Sequence, residues 1–156
     1  MPFTFRLDPL ISIRDNVLKA KQAELAKAYE ARRFVEEKRL ETERNMEANL
    51  QSAREMQQSE KIDVHFLLGV RQHDAFLAAQ LEEIRRHILF IDAEIELRRR
   101  KVIKANKELK IIEKLKEKKH EKYLAEERRK ETIEMDEIAG RVPVSILSPQ
   151  ENPMGN

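Results

Sequence analysis

The chain has no cysteine, no tryptophan and only three glycines in 156 residues. Without cysteine there are no disulfides, zinc–thiolate sites or thiol catalysis, and nothing argues against a reducing compartment. With so few glycines there is no GxxxxGK[ST] or GxGxxG loop to cradle a phosphate. The longest apolar run, Phe66-Leu67-Leu68-Gly69-Val70, is far short of the roughly 20 residues that cross a bilayer. Residues 1–10 carry one arginine and no apolar stretch of signal-peptide length, which reads as an intracellular protein. The histidines His65, His73, His87 and His120 share no metal-ligand spacing. Glu82-Glu83 and Glu126-Glu127 are adjacent, so on a helix they diverge as solvated charge. No cofactor, metal or catalytic constellation is expected, and a compact enzyme is disfavoured.

Charged residues make up 38% of the sequence, with a formal net charge of +2. That near balance hides an asymmetry. Residues 1–76 carry 13 Lys/Arg and 13 Asp/Glu, residues 77–97 carry 2 and 5, residues 98–130 carry 15 and 6, and residues 131–156 carry 1 and 5. One segment therefore holds the basic excess, and it suits an acidic partner surface, nucleic acid or a solvated face.

The dominant pattern is a heptad seam. Leu77, Leu81, Ile84, Ile88, Ile91, Ile95, Arg98, Val102, Ala105, Leu109 and Ile112 recur at alternating steps of four and three, the signature of a coiled coil with one polar member. Arg98 either sets the register or lays its stem along the seam with its head outside.

Before the seam, Phe3-Thr4-Phe5-Arg6-Leu7 alternates as a short extended lead-in. Asp8-Pro9 then signals a helix start, with the Asp8 carboxylate capping a backbone N–H and Pro9 at the first helical position. Ile13, Val17, Ala20, Leu25, Ala28, Ala31, Val35, Leu40, Met46, Leu50, Ala53 and Met56 form a looser apolar stripe. The expected architecture is all-α: two long helices folded into an antiparallel coiled-coil hairpin over residues 1–140. Helix 1 runs over about 9–60, the turn over about 61–73, and helix 2, capped by Asp74, over about 74–139. Gly140 supplies a left-handed C-terminal cap, and residues 141–156 form a disordered tail. Folding about residue 66 leaves residues 124–139 as a projecting, unpaired helix end. A parallel dimer through the same seam is the alternative.

Lys107, Lys110, Lys114, Lys118 and Lys122 form one stripe and Glu113, Glu117 and Glu121 another. Like charges four apart repel, partly offset by Lys114–Glu117 and Lys118–Glu121 at i,i+3. Such segregation suits either a solvated face or docking on an acidic partner. Tyr123 alone offers base stacking, and no nucleic-acid reading element is present. Phe66, Leu67 and Leu68 cluster near the turn, where they either pack on the helix ends or form a contact site.

The opening Phe3-Thr-Phe-Arg-Leu-Asp-Pro-Leu, the block Ile112-Glu-Lys-Leu-Lys-Glu-Lys-Lys119, Tyr123 and the ending Met135-Asp-Glu-Ile-Ala139 resemble the FliJ family, soluble components of the flagellar type III export apparatus. The resemblance covers residues 1–141. It implies a hairpin resembling the central stalk of rotary ATPases, which enters the hexameric export ATPase, promotes its assembly and activity, contacts the cytoplasmic domain of the export gate and escorts export chaperones. It implies a non-enzymatic, cytoplasmic protein at the inner-membrane export apparatus, reaching the membrane only through partners. ATPase contact falls on Phe5, Leu7, Leu10, Ile13, Glu113, Lys114, Leu115, Lys116, Lys118, Asp136 and Glu137, and gate contact on Phe66 and Leu67. The stalk of a virulence type III secretion system, a basic nucleic-acid-binding coiled coil and a scaffold coiled coil are the alternatives.

Overall fold

A computed structural model describes residues 2–141; the expected tail beyond residue 141 lies outside the described residues. Two helices, α1 (Asp8–Gln57, 50 residues) and α2 (Val64–Gly140, 77 residues), pack against each other as an antiparallel pair. No strand occurs among the described residues.

α1 begins at Asp8, but the Asp8 carboxylate is not its cap. The N–H groups of Leu10 and Ile11 donate to the Leu7 carbonyl (3.0 and 3.2 Å), while Asp8 Oδ1 accepts from Lys116 Nζ at 2.6 Å. At the far end the Ser59 N–H donates to the Met56 carbonyl at 3.3 Å, closing the last turn.

α2 starts at Val64, ten residues before the expected cap at Asp74. The cap is Asp63: its Oδ1 accepts from the N–H groups of His65 (2.9 Å) and Phe66 (3.2 Å), the second and third helical positions that an N-cap side chain serves. Phe66, Leu67 and Leu68, expected near the turn, lie in the first turns of this helix. Gly69 is an ordinary helical residue, and an added Cβ there would meet nothing within 4 Å. Gly69→Ala is therefore expected to stabilise the protein by about 1 kcal/mol, read from the urea midpoint, since glycine costs that much relative to alanine inside a helix. An unchanged or lower midpoint would contradict this placement. Gly140 closes α2 as its last helical residue rather than as a left-handed cap. The Arg141 N–H bonds the Ile138 carbonyl at 3.2 Å, tightening the final turn.

The chain divides into two compact units, Ser12–Leu109 and Met1–Ile11 with Lys110–Asn156. In the Ser12–Leu109 unit, Ala28, Val35, Ile91 and Ile95 form a buried cluster, with Leu25, Ile84 and Ile88 packed against it. Leu18, Leu77, Leu81, Ala105 and Leu109 are buried as well. Two helices alone cannot enclose a large side chain, and none is completely enclosed among the described residues.

All eleven seam positions of α2 are buried or half-buried, Arg98 included. The α1 stripe departs from expectation. Its inward residues include Arg14, Leu18, Lys21, Leu25, Ala28, Arg32, Val35, Arg39, Thr42, Met46 and Asn49, at steps of three and four. Ile13, Val17, Leu40 and Leu50 are exposed. Polar side chains occupy half of this seam because they can lay a stem inward and satisfy a polar head at the edge.

Arg14 pairs with Glu108 at 2.7 Å and Arg32 with Asp92 at 2.6 Å. Asn49 Nδ2 donates to the Val70 carbonyl at 2.9 Å, and Thr42 Oγ1 donates to the Lys38 carbonyl at 2.9 Å. Arg98 donates to Glu94 at 2.8 Å and, across the pair, to the backbone carbonyl of Glu24 at 2.6 Å. The bond to Asp92 and its charge hold Arg32 above its ordinary pKa, and the Arg39 hydrogen bond holds Glu36 below its own. Partly exposed pairs are worth roughly 0.2–1 kcal/mol each, so they align the helices while the apolar cluster supplies most of the stability.

Candidate partner-docking surface

In the unit formed by residues 1–11 and 110–156, described to residue 141, the extended lead-in sets Phe3 and Phe5 two residues apart. That spacing sends both rings to one side. Phe5 is buried at 5% exposure, its ring 5.6 Å from Lys119 Nζ. Phe3 packs edge-on against His120 at 4.9 Å between centroids and lies 5.6 Å from Tyr123. The Asp8 N–H donates to the Phe5 carbonyl at 3.1 Å, turning the backbone into α1, and the Asp8–Lys116 pair fastens the corner. The N-terminal arm is thus held on α2 by rings and ion pairing together.

Beside it, Phe3, Ile11, Lys110, Lys114, Glu117 and His120 border a shallow groove of about 840 Å³. Lys110, Lys114, Lys118 and Lys122 are exposed and form no ion pair among the described residues, and the expected Lys114–Glu117 and Lys118–Glu121 pairs are not made. Their ammonium groups stay available to an outside carboxylate. Farther along, Lys130 bonds Glu127 at 3.2 Å, which raises the Lys130 pKa. Every residue from 128 to 140 is exposed, including Ile133, Met135 and Ile138.

The candidate contacts fall as follows. Phe5, Leu7, Leu10, Glu113, Lys114, Leu115, Lys116 and Lys118 share this unit. Phe5 is in the anchor, Lys116 is committed to Asp8, and Glu113, Lys114, Leu115 and Lys118 are exposed. Asp136 and Glu137 are exposed on the same helix, about 30 Å beyond Lys116 at the standard rise. Ile13, 57% exposed, belongs to the Ser12–Leu109 unit. So do Phe66, 41% exposed, and Leu67, which lines a small groove with Asn49, Ala53 and Arg71. Lys119, at the end of the Ile112–Lys119 block, and His120 next to it receive the arm; folding the chain back about residue 66 brings the start of α1 to this stretch, and the two-residue spacing of the phenylalanines matches two neighbouring receptors on one helix.

Among the described residues no cluster of His, Cys, Asp and Glu could hold a metal, and no helix is long and apolar enough to cross a membrane. No curated protein matches the chain. Among solved structures it is similar to a YscO homologue, CT670 of Chlamydia trachomatis, at 23% identity, covering 89% of this chain and 94% of that one with a TM-score of 0.46. The family model described as flagellar FliJ protein matches residues 3–144. With that model spanning nearly the whole sequence, the chain belongs to the flagellar FliJ family.

Proposed function

We propose that this protein is a non-enzymatic stalk of the flagellar type III export apparatus. It binds within the hexameric export ATPase, promotes its assembly and activity, and links it to the export gate and to export chaperones. The observation that carries this reading is the anchored arm beside the unpaired Lys114 and Lys118. An arm fixed on the helix presents those cations in one geometry, ready for carboxylates around a ring opening. A stalk that binds the assembled ring but not its separate subunits raises assembly by mass action. The exposed helix end with Asp136 and Glu137 extends the contact, Phe66 and Leu67 face the gate, and the protein works in the cytoplasm at the inner-membrane export apparatus.

Lys114→Glu combined with Lys118→Glu is expected to weaken ATPase association and stimulation on the order of tenfold, with the loss shrinking at high salt. Circular dichroism should show the helices unchanged, since neither lysine is in an ion pair. A folded double variant that stimulates the ATPase like the natural protein would overturn the docking face.

A further inference from the structure

One side of the Ser12–Leu109 unit carries exposed aromatic and leucyl side chains that lead into a cationic stretch from residue 97 onward, and the docking surface above does not use it. Phe34 of α1 and Phe90 of α2 border a single groove of about 690 Å³ floored by Val35, Ile84 and Ile91, with Lys38, Glu41 and Glu83 also lining it. The two rings are 58% and 70% exposed. Leu97, Lys101 and Lys104 follow Phe90 at steps of seven, four and three, which keeps them on its face of α2. Leu97 is 53% exposed. Lys101 and Lys104 form no ion pair among the described residues, and Lys38 Nζ stands 4.7 Å over the Phe34 ring. From residue 97 to residue 107 the sequence contains no carboxylate.

Uncovered aromatic and leucyl side chains next to unpaired lysines satisfy two requirements of an interfacial contact at once. The rings enter the boundary between headgroups and acyl chains, and the ammonium groups meet lipid phosphates. A straight helix offers Phe90, Leu97 and Lys104 along one line at intervals of about 10 Å, and Phe34 adds a second helix to the same side. We propose that this face rests on an anionic lipid surface.

Flotation of the full chain with vesicles tests it. The protein is expected to float with vesicles of phosphatidylglycerol mixed with phosphatidylcholine and to stay in the aqueous fraction with phosphatidylcholine alone. Lys101→Gln with Lys104→Gln should weaken binding on the order of thirtyfold. Phe90→Glu with Leu97→Glu should weaken it at least as much, and the milder Phe90→Ala with Leu97→Ala measurably, with circular dichroism verifying each fold. Lys114→Glu with Lys118→Glu should float unchanged. Failure to float with either vesicle, the result a face reserved for a protein helix would give, overturns the proposal. So do equal binding to the neutral vesicle, wild-type binding by the folded Phe90/Leu97 variants, or loss of binding in the Lys114/Lys118 variant.

Discussion

An Ile95→Ala variant is expected to lose about 3 kcal/mol of stability, seen as a lowered urea midpoint with little change in slope. Ile95 is 7% exposed within the cluster of Ala28, Val35 and Ile91. Removing its outer carbons forfeits the transfer energy of those groups and leaves a void that two stiff helices close only in part. Collapse is limited because Arg32–Asp92 and the Arg98 bond to the Glu24 carbonyl hold the helices in register near the gap. The contrast is Leu89→Ala: Leu89 is 70% exposed, and its truncation should cost under about 0.5 kcal/mol. Equal losses at the two positions would mean that the seam is not where the burial lies.

Phe5→Ala carries the second large effect, and it is local. Phe5 is 5% exposed, beneath the Lys119 ammonium. Aromatic truncation at such a site costs roughly 3–5 kcal/mol, a loss that the contacts of Phe3 with His120 and Tyr123 and the Asp8–Lys116 pair, at roughly 1 kcal/mol each or less, do not make good. The arm should release. Amide exchange at Asp8, Leu10 and Ile11, whose N–H groups bond the Phe5 and Leu7 carbonyls, is expected to quicken on the order of a hundredfold. Amides near Ile91 and Ile95 should keep their rates. Unaltered exchange at Leu10 and Ile11 would show that the arm does not depend on the Phe5 ring.

The helical hairpin was legible because α2 spells its seam in aliphatic letters. Each position from Leu77 to Ile112 at the four–three spacing is inside or half inside. α1 hides its seam because Arg14, Lys21, Arg32 and Arg39 occupy inward positions, while Ile13, Leu40 and Leu50 face water. A long cation covers apolar surface with its stem, and composition alone does not reveal that. The turn expected over about 61–73 is shorter in the structure because a helix continuous on both sides tolerates Gly69, and Asp63 rather than Asp74 caps α2. At the candidate docking surface the lysine stripe could be read from spacing. Folding the chain about residue 66 already brings the start of α1 near residues 116–123, but the particular fastening of Asp8 to Lys116 is not legible in the sequence. The alternation of Phe3 and Phe5 held the information about the arm, but the receptors His120 and Lys119 emerge only once the chain has folded back.

The length difference between α1 and α2 has a thermal consequence. Residues 128–140 are all exposed, and a free helix of that length is marginal in water. Its order is borrowed from the packed turns before it, which spare it the cost of nucleation, so the segment should melt from its C-terminal end inward. Warming then shortens this end before it disturbs the paired region. Any partner that grips the last turns must supply the missing order itself, so its affinity will fall with temperature more steeply than that of a partner gripping the arm.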